Sequence, residues 1–202
     1  MLDKKAGLPP DDRELLTVID EESDRLSRLI SESIQMARTE AGKLRLNLRP
    51  QNVGQMLENA LERLSTEMEG RELQIQSDSS LPLVIADAEL MDVVLRQLLD
   101  NAAKYSTPGT PIIVSAQFDE YHVQIGVKNE GPGLSELEQD QVFEKFYRRP
   151  DTLDSIPGLG IGLAIARDMV IAQAGRMWVE SVPGQGSRFL FTLPVAGKQG
   201  AP

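Results

Sequence analysis

Gln97, Asn101, Lys104 and Tyr105 stand at i, i+4, i+7 and i+8, a spacing that lays all of them along one face of a helix. That face offers amide oxygens for a hard cation, an ammonium group for phosphate and an aromatic ring for a nucleotide base. Mg²⁺ takes oxygen ligands and keeps several waters, so two neutral amides supplemented by phosphate oxygens suit it. The same residues would also serve as an ordinary solvated face, and from the helix alone that plainer reading would prevail. Three glycine-rich segments shift the balance. Asn129-Glu130-Gly131-Pro132-Gly133 follows an alternating apolar run, and its glycines let the backbone approach a flat ligand. Gly158-Leu159-Gly160-Ile161-Gly162-Leu163 opens a helical pattern, where unpaired backbone N–H groups suit phosphate. Gly184-Gln185-Gly186-Ser187 lies between the last two apolar runs. The middle segment departs from the G-x-G-x-x-G dinucleotide fingerprint and follows a loop rather than a strand, so a dinucleotide fold is a poor match.

These groups need elements to hold them. Leu15, Ile19, Leu26, Ile30, Ile34 and Ala37 give residues 11–41 a narrow helical stripe that calls for a partner helix. Leu44, Leu46 and Leu48 alternate with Arg45, Asn47 and Arg49, predicting a half-buried strand that Pro50 ends. A helix is expected from Val53 to Glu69, short strands around Leu73 and over Leu83–Ala86, and a long helix capped by Asp87 and reaching Tyr105. Ile112–Phe118 and Tyr121–Lys128 form a hairpin turning at Asp119-Glu120. A short helix near Leu137–Phe143, a loop over Arg148–Pro157, a helix from about Gly160 to Gln173 and two closing strands complete the order. Strands and helices mix without regular β-α-β alternation, which predicts an α+β protein with a helical layer on a mixed sheet.

Bulk properties remove several classes. The 202 residues are 41% hydrophobic and 26% charged, ordinary for a globular protein. No apolar run approaches the roughly 18 residues of a membrane span, and no leader pattern opens the chain. The absence of cysteine excludes disulfides and thiolate metal sites. A cytoplasmic segment is expected, compatible with membrane anchorage of a longer protein. The net charge of -10, with no Lys/Arg cluster, argues against a nucleic-acid partner. A polyanion such as ATP would have to be met by helix N-termini, a divalent metal and a few placed cations.

The series L-L-D-N-A-A-K-Y-S, N-E-G-P-G-L, V-F-E-K-F-Y-R, G-L-G-I-G-L-A-I-A and G-Q-G-S-R-F-L-F-T-L-P resembles, in order and spacing, the N, G1, F, G2 and G3 boxes of sensor histidine kinases. The resemblance runs from about Leu44 to Pro194. The helix before it, ending M-A-R-T-E-A-G-K-L, resembles the second helix of that family's dimerisation and phosphotransfer hairpin. The helix bearing the phosphoacceptor histidine would precede residue 1. The resemblance implies a hairpin remnant over 1–43, a catalytic ATP-binding domain over 44–195 with a two-layer α/β sandwich fold, and a tail over 196–202. It implies ATP and Mg²⁺ as ligands. Its implied partners are the phosphoacceptor helix of the full-length protein, itself a homodimer, and a response regulator receiver domain.

Roles follow by resemblance. Asn101 would bind Mg²⁺ with Gln97 assisting, Lys104 would meet phosphate, and Tyr105 would line the adenine side. Gly131 and Gly133 would shape the adenine pocket. Phe146, Tyr147 and Arg148 belong to the F box, with Phe146 and Arg148 at the nucleotide and Arg148 reaching its phosphates. Arg149 to Pro157 would form a mobile lid. Gly158, Leu159, Gly160, Gly162 and Leu163 would lie at its hinge and phosphate end, and Ser187 near the pocket floor.

The chain departs from the pattern in two places. The G1 box of the family usually opens with Asp, whose carboxylate accepts the adenine amino group. Here Asn129 stands there, and its neutral amide oxygen is the weaker acceptor. Gln173-Ala174-Gly175 replaces a frequent His-Gly-Gly. The single histidine, His122, falls on the polar side of an alternating strand, whereas the family's phosphoacceptor sits on a helix. Two rivals remain. Related topoisomerase and mismatch-repair ATPases place an acid one turn before the metal-binding Asn. Gln97 occupies that position and cannot act as a base, while Asp100 is expected on a different side of the helix. The other is a degenerate nucleotide-sensing or scaffolding module without kinase activity, for which Asn129 is the best support.

Overall fold

Apolar residues at alternate positions in four neighbouring runs must turn one face of a sheet inward. In the computed structural model they do so in two rows. Val114, Val127, Phe189 and Val179 are successive cross-strand neighbours, as are Ala116, Ile125, Phe191 and Met177. All are buried and belong to one core. The structure describes residues 46–65, 71–78, 80–150 and 158–198, with isolated positions 12, 16, 19 and 23. The helix expected over 11–41, apart from those positions, lies outside the described residues, as do the 43/44 boundary and lid positions 151–157.

The chain order is β1 (Arg49–Gln51), α1 (Val53–Ser65), β2 (Leu73–Ser77), β3 (Val84–Ala86), α2 (Ala88–Tyr105), β4 (Ile112–Phe118), β5 (His122–Asn129), α3 (Glu136–Gln141), α4 (Gly162–Ala172), β6 (Met177–Ser181) and β7 (Ser187–Pro194). Five strands form a mixed sheet in the order β2-β4-β5-β7-β6, parallel only between β2 and β4. Val53, Leu57 and Ala60 of α1, Leu95, Leu98 and Leu99 of α2, and Ile165, Met169 and Val170 of α4 join the core on the inward face. Burying each such Leu, Ile, Met or Val contributes about 1.5–3 kcal/mol, so these helices are held by the sheet rather than by propensity.

The expected strand near Leu48 is displaced. Leu46 and Leu48 precede it, and Pro50 lies inside β1, opposite Ile85 of β3. This two-stranded pair leaves β1 an open edge, where a missing N–H costs no ladder bond. Asp87 caps α2 as expected, its Oδ1 accepting from the N–H groups of Glu89 and Leu90, while Oδ2 accepts from Asn47 at 2.8 Å. The β4–β5 turn is organised by Asp119, whose carboxylate accepts from the N–H groups of Tyr121 and His122 at 2.8 and 2.7 Å. Those bonds hold its pKa below the ordinary carboxylate value. Gln173 is 1% exposed and ties the C-terminal end of α4 to the start of α2. Its Nε2 donates to Met169 O at 2.9 Å and its Oε1 accepts from Asp87 N–H at 2.7 Å.

Candidate functional site

The buried side of α2 fixes its other side. With Met91, Val94, Leu95, Leu98, Leu99 and Ala102 inward, Gln97, Asn101, Lys104 and Tyr105 line a cavity beside the helix. Asp100 lines it too, against the expectation that it points elsewhere. The reason is helix spacing: Asp100 stands three residues after Gln97 and four before Lys104, so it shares their face, where Lys104 donates to its Oδ2. Such a partly exposed i,i+4 pair is worth roughly 0.3–0.5 kcal/mol, little enough for a stronger anion to redirect Lys104. The end of α2 is held from outside. Arg71 donates to the carbonyls of Ala103 at 2.7 Å and Thr107 at 3.2 Å, and Thr107 N–H reaches Glu130 O at 2.6 Å. Arg71 gives no sign of this work in sequence, because the contact spans more than thirty residues.

The far wall comes from the sheet ends. Asn129, last in β5, and Ser187, first in β7, are paired neighbours. They are 3% and 9% exposed, and both line the cavity. No hydrogen bond among the described residues engages the Asn129 amide, so a buried polar group is left for a ligand to satisfy. The Ser187 hydroxyl lies 2.9 Å from that of Ser181, which also donates to Gly186 O. Gly133 lines the cavity with φ +68, and a β-carbon on it would collide with the Val182 carbonyl. Gly131 does not line it. A β-carbon there would collide with the Tyr105 carbonyl, so this glycine lets the loop close against the end of α2.

The third wall joins the F-box segment to the start of α4. Phe143 anchors that segment, edge-on to Phe189 at 6.2 Å and beneath the Arg167 guanidinium at 5.1 Å. Phe146 adopts φ +67, and its N–H donates to Gly160 O at 2.9 Å. That turn sends Phe146 outward, 62% exposed and off the cavity lining, and brings Tyr147, Arg148 and Arg149 onto it. Gly158, Leu159, Gly160, Gly162 and Leu163 all line the cavity. A β-carbon on Gly162 would strike Gln97 Oε1, so the amide face of α2 directly abuts the start of α4. The N-cap of α4 is Ile161, which makes no side-chain cap bond and leaves the first-turn N–H groups uncapped among the described residues. The start of α4 thus meets Lys104, Arg148 and Arg149 at one cavity in a chain of net charge -10, with Lys104 paired to Asp100 and Arg149 to Glu138.

Pro132, Leu134, Val142 and Phe189, which lie within the motifs but were assigned no role there, supply apolar lining. Leu134 and Phe189 carry the signal of ordinary core residues, and only the tertiary fold shows that they also face the cavity. His122 sits at the opposite end of β5 from Asn129, half-exposed, with Nδ1 3.8 Å from Asp119. No helix among the described residues is long and apolar enough to cross a membrane.

Residues 86–197 match the model of the histidine kinase-, DNA gyrase B- and HSP90-like ATPase family. The chain belongs to this family. The chain resembles the adaptive-response sensory kinase SasA of Synechococcus sp. (strain JA-3-3Ab), with 33% identity over 187 residues, 91% of this chain and 49% of the relative. It also resembles SasA of Parasynechococcus marenigrum (strain WH8102), with 40% identity over 134 residues, 65% of this chain and 35% of the relative. The chain thus spans about half or less of the length of these curated relatives. Among solved structures, full-length ShkA in complex with AMPPNP superposes with a TM-score of 0.79 at 26% identity, covering 96% of this chain and 42% of that one. The mycobacterial sensor histidine kinase MprB gives 0.64 at 29%, covering 73% of this chain and 97% of that one. The ATPase domain is therefore an ATP-binding catalytic domain of the sensor histidine kinase type, with the α+β fold of that group.

Proposed function

We propose that the cavity positions Mg-ATP for γ-phosphoryl transfer to a histidine on a hairpin helix of the full-length protein, a homodimer, from which the phosphoryl group passes to a response regulator receiver domain. The observation that carries this reading is a single cavity. It collects the amide face of α2, the buried amide of Asn129 and the uncapped start of α4. Asn129, Tyr105, Gly133 and Ser187 would receive the base, with Gly131 supporting the loop from behind. Lys104, Arg148 and the N–H groups at Gly160, Gly162 and Leu163 would receive the phosphates. Leu159 would close over them beside Gly158.

The residues present fit Mg²⁺ as a shared ion rather than a caged one. Among the described residues no cluster of three His, Cys, Asp or Glu is placed to hold a metal, and Asn101 and Gln97 offer neutral oxygens that leave room for phosphate oxygens and water. When bound, the ion would neutralise charge on the transferring phosphoryl group. The chain's own contribution is orientation and electrostatic stabilisation, the main demands of phosphoryl transfer. Gln97 stands where a water-activating acid would be needed for hydrolysis, and an amide cannot take a proton.

The acceptor is not His122. It lies on a strand beside Asp119, away from the Asn129 end of β5 that faces the cavity. Incubation with γ-labelled Mg-ATP should leave the 202-residue chain without acid-labile label, and a polypeptide carrying the first hairpin helix should acquire label in its presence. Label at His122, abolished by His122→Gln, would overturn this assignment. Nucleotide binding with no transfer to any hairpin helix would favour the alternative of a nucleotide-sensing module.

A further inference from the structure

We propose that Arg149 is a positioning residue of the nucleotide site, fixing the Gly133 peptide that shapes its base-side wall. This rests on the reading of the cavity as an ATP site. Arg149 Nη1 donates to Gly133 O at 2.9 Å, and its Nε lies 3.1 Å from Glu138 Oε1, an ion pair without hydrogen-bond geometry. One guanidinium therefore joins the loop after β5 to α3. Both side chains are sheltered, 17% and 22% exposed, so water competes weakly for the pair.

The partners on either side are themselves held. Glu138 Oε2 accepts from Ser135 N–H at 2.8 Å and Ser135 Oγ at 2.7 Å, completing a capping box on α3. The Ser135 bonds, with Arg149 contributing, keep the Glu138 carboxyl below its ordinary pKa. On the other side, the left-handed turn at Gly133 is pressed against the Val182 carbonyl, and Leu134 N–H reaches Ser181 Oγ at 2.8 Å. Gly133 and Leu134 line the cavity. The sheet-end loop and Arg149 thus set their orientation from opposite sides. The rigid guanidinium holds the Gly133 carbonyl by a hydrogen bond while its charge pairs with the Glu138 carboxylate, whereas a lysine ammonium is a point charge on a flexible stem.

Arg149 also borders the cavity, so direct contact with phosphate is the outcome to separate from positioning. Calorimetric titration with Mg-ATP and Mg-ADP compares the 202-residue chain with Arg149→Met, Arg149→Lys and Glu138→Gln. Val84→Ala, a core change in β3 off the cavity lining, is a control for general destabilisation. Arg149→Met and Glu138→Gln should each weaken ATP and ADP by the same factor, about tenfold. Arg149→Lys should recover part of the loss, and Val84→Ala should lower Tm without changing either affinity. The proposal is overturned by unchanged affinity in Glu138→Gln, by a loss clearly greater for ATP than for ADP, or by an equal loss in Val84→Ala. If Arg149→Met does not fold, Glu138→Gln decides alone. Failure of the parent chain to bind either nucleotide would instead overturn the ATP reading, and this proposal with it.

Discussion

Asn129 concentrates the residue-scale question. Its amide is buried at the end of β5 and faces the cavity without a hydrogen-bond partner among the described residues. A carboxylate there would accept the adenine amino hydrogen more strongly, since hydrogen bonds to charged groups contribute about 1.5–3 kcal/mol against about 1 for neutral ones. Desolvating the new charge offsets part of that gain. Asn129→Asp should therefore tighten ATP by up to about tenfold, or ~1.4 kcal/mol. GTP, which presents a carbonyl at that position, should lose ground to ATP in the variant. Calorimetry with both nucleotides checks the sign, and weakened ATP binding would mean that Asn129 does not meet the amino group. The polar residues at this scale were legible because helix spacing and glycine boxes mark them. Asp100 belongs with them by the same spacing, three residues after Gln97 and four before Lys104, although it was expected on another side. The outward turn of Phe146 was hidden, since nothing in F-Y-R announces a residue at φ +67.

At the scale of elements, the contact between α2 and the start of α4 makes a prediction that separates stability from binding. Gly162 is the first residue of α4, and among the described residues an added β-carbon there would meet the Gln97 side-chain amide. Alanine is favoured over glycine within helices by roughly 0.5–1 kcal/mol, and the Gln97 amide is the mobile end of a long side chain. Gly162→Ala should keep or slightly raise Tm while displacing Gln97 and weakening Mg-ATP. Thermal melts paired with titration test this, and undiminished affinity would remove Gln97 from the metal's surroundings. Boundaries of α2 were readable because Asp87 is a strong N-cap and six apolar residues recur on one side. β1 was misplaced because Pro50 ordinarily stops a strand, and only the open edge of the β1–β3 pair admits it. The Arg149–Glu138 link joins residues whose spacing carries no helical or strand signal, so it emerges only from the fold.

For the whole molecule, the departure Gln173-Ala174-Gly175 has a structural explanation. Gln173 bridges the two helices that flank the cavity by bonding both Met169 O and Asp87 N–H. Gln173→Ala would leave those buried groups without partners, at about 1–3 kcal/mol. A lower denaturation midpoint with an unchanged slope is the expected outcome, and an unchanged midpoint would show the bridge to be dispensable. On the proposed reading, a strongly acidic chain binds a polyanion because a few elements converge on one cavity, where Asn101 would face the metal. Titration of Mg-ATP into the 202-residue chain and into Asn101→Ala tests this most directly. The parent chain should bind, and Asn101→Ala should lose its Mg²⁺-dependent affinity by tenfold or more, about 1.4 kcal/mol or above, while its thermal melt stays near that of the parent. Equal Mg-ATP affinity in the two proteins would contradict it.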